Sequence, residues 1–309
     1  MHLAEGTLPL THAALWSGAA LPFLVGGVAR LRRACETDRA LAAMAAAITF
    51  AVTLVPIPIP VVGMCSHLCA TPVLGLLLGR TALILPVTVV LAAQALLFGH
   101  GGLTTLGVNT LTLGVVGPVA AAWTLTLLGW IRLRGPVAFF LACALGHLAV
   151  YGVAAVALAA GLARQQTFAH WLPVVGLGLA PVELPLALLE GAASALLVRA
   201  LVRRRSALVP ARLQWISSAG RSVTPLLLFL ALGLLSTRRA AAELPGVDDV
   251  LFTGAARSAG VSPVAPIVGR PDQEVGRGTF LIGGFIAGVV LGRGWARLGG
   301  AGLRGRRAK

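Results

Sequence analysis

Long apolar runs alternate with short polar joints along this chain. The runs cover residues 11–29, 40–55, 71–79, 82–98, 103–131, 136–162, 172–202, 223–236 and 279–291. Most approach or exceed the roughly 20 residues with which an α-helix crosses about 30 Å of hydrocarbon. A membrane β-barrel would show alternating segments of about ten residues instead. The pattern therefore predicts an all-α integral membrane protein. The third run, 71–79, is too short to span by itself. Residues 56–70 before it are then predicted to dip into the membrane as a re-entrant loop, which is stable only where protein or water surrounds it.

Composition agrees with this reading. Of the 309 residues, 57% are hydrophobic and 11% charged, against about 25% charged in soluble domains. The net charge of +15 does not point to nucleic acid, because the arginines stand at the ends of apolar runs and in the C-terminal tail. Arg30, Arg32, Arg33 and Arg39 follow the first run, Arg80 the third, Arg132 and Arg134 the fifth, and Arg203, Arg204 and Arg205 the seventh. The joints 56–70 and 99–102 carry no Lys or Arg, and 163–171 carries only Arg164. Positive joints face the cytoplasm. The N-terminus and the loops holding His67 and His100 are thus expected outside, and the C-terminus inside. No Lys or Arg precedes the first run and "RLRR" follows it, the wrong polarity for a cleaved signal, so Met1 is expected to be retained. The one lysine is Lys309, which leaves no Walker A lysine for a P-loop ATPase.

Three parts are predicted: a membrane domain over 1–205, a basic cytoplasmic linker over 206–222, and a two-span module over 223–309. The module holds an extracytoplasmic loop at 237–278 with Glu243, Asp248, Asp249, Asp272 and Glu274.

Several residues could carry chemistry. A free amine at Met1, the backbone nitrogen of His2 and the His2 imidazole can close fused chelate rings around one metal ion. A further imidazole would complete a four-nitrogen set suited to Ni(II) or Cu(II), with Co(II) possible in a modified geometry. Ordinary pKa values of about 7.7–8.0 for an α-amine and about 6.5 for histidine make both available as deprotonated ligands near neutral pH. "MH" alone equally fits a chance residue in a flexible tail. His67, in the sequence "GMCSHLCAT", stands in the predicted re-entrant loop on the same side, where a polar group needs a partner. His100, in "HGGLTTLGVN", fits either a ligand or a histidine bonded to a loop carbonyl. His12 and His170 read as interfacial anchors. Cys35, Cys65, Cys69 and Cys143 lack a zinc-site or disulfide spacing. Glu183 and Glu190, seven residues apart, share a helix face; they fit either a functional proton site or structural bonding to a neighbouring backbone or to His147. An intramembrane hydrolase is disfavoured, since neither HExxH nor a serine motif opposite His147 is found. A proton-coupled permease using Glu183 and Glu190 stays as the alternative.

The segments "MHLAEGTLP", "GMCSHLCAT", "QALLFGHGGLTTLGVN", "ALGHLAVY" and "LPLALLEG" together resemble the substrate-binding membrane subunit (CbiM/NikM) of energy-coupling-factor importers for nickel or cobalt, from Met1 to about Arg205. The resemblance implies a seven-helix S component without catalysis or cofactor of its own. It would bind the transported Ni(II) or Co(II) through the Met1 amine, the His2 backbone nitrogen and imidazole, and the His67 imidazole. His100, Gly101, Gly102 and Asn109 would close the site. A separate transmembrane coupling (T) subunit and cytosolic ABC-type ATPases would drive transport. Where the family usually has Pro-Thr-Gly after the histidine, this chain has Leu68, Cys69 and Ala70, which brings Cys69 into consideration beside the metal. It also has His147 where Asp is common, and Glu183 where Gln is common. The module over 223–309 is similar in layout to the small accessory subunit of such importers.

Overall fold

The computed structural model describes residues 2–55, 57–59, 64–79, 81–163, 167–204, 209–210 and 213. Met1, most of the predicted linker, and the whole predicted two-span module lie outside the described residues.

Among the described residues there are seven helices: α1 Leu10–Arg33, α2 Glu36–Thr53, α3 Thr71–Leu78, α4 Ile84–Phe98, α5 Leu106–Trp130, α6 Pro136–Leu162 and α7 Phe168–Arg203. Four of them, α1, α5, α6 and α7, are long and apolar enough to cross a membrane. At 1.5 Å per residue, the 15 residues of α4 reach only about 22 Å. Large side chains such as Leu10, Leu15, Trp123, Trp130 and Leu177 face outward, whereas Thr49, Gln94, Asn109, His147, Glu183 and Glu190 are buried. Apolar groups outside and polar groups within suit a surface of lipid.

The joint between α1 and α2 is short because its charges fit both helix ends. Arg30, Arg32 and Arg33 occupy the last turn of α1, while Glu36 and Asp38 occupy the first turn of α2, each sign favoured by the local helix dipole. The Arg39 guanidinium donates to the Leu31 and Arg32 carbonyls at 3.3 and 3.0 Å, satisfying the orphan end of α1. Arg30 donates to Thr81 Oγ1 at 2.8 Å, so two of the basic joints meet.

The loop before α3 contains a small hairpin. β1 (Ile57–Ile59) pairs antiparallel with β2 (Met64–Ser66), with Ile57 opposite Ser66 and Ile59 opposite Met64. Prolines at 56, 58 and 60 leave Ile57 and Ile59 as the only N–H donors of that stretch, which confines it to an isolated two-stranded ribbon. The chain then turns through Ala70, at φ 59°, into α3.

Close packing rests on small residues. In α5, one π-helical turn spans Thr112–Val116; Pro118, just beyond it, has no N–H to continue the regular ladder. A Cβ at Gly107 would run into the Ser17 backbone of α1. A Cβ at Gly191 of α7 would lie 2.6 Å from the Phe140 carbonyl of α6. These approaches let helices pack without interlocking bulky side chains.

Candidate metal site

The segment before α1 folds back into the bundle. Leu3 is fully buried, and its backbone is held from both sides. The Leu3 N–H donates to Asn109 Oδ1 at 2.9 Å, and Asn109 Nδ2 donates to the Leu3 carbonyl at 3.1 Å. Thr105 Oγ1 donates to that carbonyl as well, at 2.6 Å. The side chain of Asn109 thus pairs with residue 3 as a neighbouring strand would, and His2 is carried inward.

The two glycines after His100 make room for this segment. Gly101 takes a φ of +87°, and a Cβ there would sit 3.2 Å from His2 Cβ. A Cβ at Gly102 would lie 2.6 Å from the Glu5 backbone. Glu5 Oε2 in turn accepts from the Thr104 N–H at 3.2 Å.

His67 is fixed from the opposite side. Its carbonyl accepts from the Tyr151 hydroxyl at 2.8 Å, and Ser66 Oγ donates to Tyr151 Oη at 3.0 Å. Its Nδ1 lies 2.9 Å from the Leu68 carbonyl. A carbonyl only accepts, so the proton belongs on Nδ1 and Nε2 keeps its lone pair. Two residues on, the N–H groups of Cys69 and Ala70 each donate to a different oxygen of the Glu190 carboxylate at 2.7 Å. Glu190 thereby holds the turn that leads out of His67.

These supports bring three imidazoles together. Ring centroids lie 4.6 Å apart for His2 and His67, 4.6 Å for His2 and His100, and 5.9 Å for His67 and His100. One nitrogen from each lies within 4.8 Å of the others. Among the described residues, both ring nitrogens of His2 and the Nε2 atoms of His67 and His100 are buried without a hydrogen-bond partner. Each such group costs about 1–3 kcal/mol unless something binds it. Burial, and after it the charges of His67 and His100, hold His2 well below the usual histidine range. Burial, followed by the amino-terminal charge, does the same to His67 and lowers His100 to about 4. All three rings are neutral at pH 7, the state in which imidazole ligates a metal.

The structure unites His2, His67 and His100 and uses Asn109 to hold residue 3. Cys69 goes elsewhere: it groups with His147 and Glu190. His170 is exposed beside Trp171, with ring centroids 5.4 Å apart. Thr105 and Tyr151 do not stand out in the sequence. Their only signal there is that of polar residues inside apolar runs, which does not reveal a partner some hundred residues away.

Fold and side chains together define a multi-pass membrane protein that buries a trio of neutral imidazoles beside its amino-terminal segment. Residues 2–208 match the CbiM family, described as "Cobalt uptake substrate-specific transmembrane region", and the chain belongs to that family. It is similar to the cobalt transport protein CbiM of Geobacter sulfurreducens, 33% identical over 319 residues covering 96% of this chain and 90% of the relative. The cobalt transport protein CbiM of Sorangium cellulosum is 38% identical over 198 residues, covering 63% of this chain and 88% of its own. A crystal structure of a truncated transition metal transporter aligns with a TM-score of 0.60 at 24% identity, over 66% of this chain and 99% of its own. At that identity the match speaks to the fold.

Proposed function

We propose that this protein captures Co(II) or Ni(II) at the extracytoplasmic face and carries it inward as the substrate-specific subunit of an ATP-driven energy-coupling-factor importer. The observation that carries this reading is the convergence of His2, His67 and His100 with four unpartnered ring nitrogens in a buried space. The Met1 amine, the His2 backbone nitrogen and imidazole, and His67 Nε2 supply the ligands; His100 and Asn109 close the site. Nitrogen donors of this kind suit nickel and cobalt alike. A transmembrane coupling subunit and cytosolic ATPases provide the energy, since the chain has no nucleotide-binding lysine of its own. The names borne by the relatives, cobalt transport protein, support cargo binding rather than catalysis.

Orientation follows from the arginines: the N-terminus outside, the C-terminus inside. Residues 223–309 form a fused accessory module in this reading. It is supported by the family match ending at residue 208, while the Geobacter relative aligns over 96% of the chain.

The test compares Co(II) and Ni(II) binding by the full chain, its free Met1 verified by intact mass, with the same chain carrying one alanine between Met1 and His2. The insertion moves the amine by up to about 3.6 Å. Loss of the nitrogen-donor ligand-field spectrum in the insertion variant is expected, and an unchanged spectrum rejects the terminal chelate. Uptake in vesicles that requires the coupling subunit and ATP is the second expectation. Uptake driven by a proton gradient without them would favour the permease.

A further inference from the structure

A second group of donors shares one short loop with the first. Cys69 comes from the turn before α3, His147 from the middle of α6, and Glu190 from α7. One donor atom from each, the Cys69 sulfur, a His147 nitrogen and a Glu190 oxygen, lies within 4.8 Å of the other two. All three residues are no more than 3% exposed.

The bonding around this trio is what a metal site requires of its surroundings. A ligating histidine almost always gives its second N–H to a carboxylate, a backbone carbonyl or water, which fixes the tautomer and aims the lone pair. His147 Nε2 stands 3.2 Å from Glu183 Oε2, and the other nitrogen, Nδ1, stands 3.3 Å from Glu190 Oε2. With the proton on Nε2, the Nδ1 lone pair faces Glu190. The Glu190 carboxylate is itself held in place by the Cys69 and Ala70 N–H groups, and it keeps free lone pairs beyond these bonds. Glu183 sits two helical turns before Glu190 on the same face of α7, and its Oε1 is buried without a partner among the described residues. Two carboxyl groups thus flank one imidazole inside the bundle, oxygen and nitrogen donors facing a shared space.

We propose that Cys69, His147 and Glu190 form a second divalent transition-metal site, distinct from the histidine trio, with Glu183 as the residue that positions His147. A thiolate, an imidazole and a carboxylate with one open position suit a tetrahedral Co(II) or Zn(II) ion. Bond lengths of about 2.0–2.3 Å put tetrahedral donors about 3.3–3.8 Å apart, a spacing that His147 Nδ1 and Glu190 Oε2 already meet at 3.3 Å. The site does not depend on the terminal chelate, because none of its donors belongs to that set. His67 serves one set and Cys69 the other, so the two sites flank a single turn of chain.

The experiment titrates the full chain in nanodiscs with Co(II), following metal stoichiometry and the near-ultraviolet thiolate-to-Co(II) charge-transfer band. The expected result is a band that persists in Cys143→Ser and His67→Ala and disappears in Cys69→Ser with loss of one equivalent. Glu183→Gln should weaken Co(II) at this site by about 10- to 100-fold, with the ligand-field spectrum of the histidine trio intact as proof of folding. No band in the wild type, or a band that survives Cys69→Ser, overturns the proposal. A band lost in His67→Ala as well as in Cys69→Ser overturns it too, since the thiolate would then belong to the histidine site. Failure of the terminal chelate shows up separately, as an unchanged ligand-field spectrum in the alanine-insertion variant.

Discussion

Asn109 and Leu3 exchange two hydrogen bonds, N–H to Oδ1 at 2.9 Å and Nδ2 to the carbonyl at 3.1 Å, across 106 residues of chain. Both groups are buried, so Asn109→Ala leaves a donor unpaired at about 1–3 kcal/mol. We expect Co(II) affinity to drop roughly 10- to 100-fold by calorimetry. Asn109→Asp keeps the acceptor and loses the donor, and should fall between the two. Equal affinity in all three proteins would detach residue 3 from metal capture.

Gly102 offers a steric test of the same segment. A Cβ there meets the Glu5 backbone at 2.6 Å, and backbone cannot swing aside as a flexible side chain would. Gly102→Ala is expected to keep the bundle folded, by circular dichroism, and to weaken metal binding by displacing residues 2–5. Gly152→Ala, where nothing lies within 4 Å, serves as the control and should bind normally.

The metal-free protein should lose stability in mild acid. His100 is lowered to about 4 in the fold, against about 6.5 unfolded. Below pH 6.5 the unfolded chain takes up a proton that the folded chain does not, so stability falls with pH until about 4. His2 and His67 shift in the same direction. By pH 5 His100 alone costs about 2 kcal/mol. Thermal unfolding between pH 7.5 and 5 checks this; a midpoint that stays level or rises on acidification contradicts it.

Orientation can be read from a native thiol. Cys35 is exposed in the α1–α2 joint, whereas Cys69 and Cys143 are buried. In a Cys65→Ser background, a membrane-impermeant maleimide should label Cys35 in inverted vesicles and spare it in intact cells. The reverse pattern would put the histidine trio on the cytoplasmic side.

Much of the helical frame was legible because lipid imposes a length on apolar runs. Helix α6 occupies residues 136–162, the bounds its run predicts, with Gly135 and Pro136 marking the start. Helix α7 begins at Phe168 rather than 172, because Thr167 caps the His170 N–H. The strand at Ile57–Ile59 was hidden by alternating prolines inside the predicted re-entrant loop. Of the site, His2, His67, His100 and Asn109 were legible as a set of segments in order. The bonds from Glu190 to Cys69 and Ala70 were not, since no local pattern links a carboxylate on α7 to a loop some 120 residues earlier.

That separation also sets an order of biogenesis. Ala70 leaves the ribosome 120 residues before the glutamate that holds it, a delay of roughly 6–24 s at about 5–20 residues per second. Through that interval the turn behind His67 has no carboxylate to close on, although the residue 3 clasp can already form once Asn109 is inserted. The mouth of the protein is therefore assembled in two instalments, and the second waits for the last helix of the seven. A nascent chain halted before α7 would hold its first residues in place and keep the His67 carbonyl on Tyr151, yet leave the Cys69–Ala70 turn behind it unheld, so under the proposed function the site becomes fully supported only with completion of the bundle.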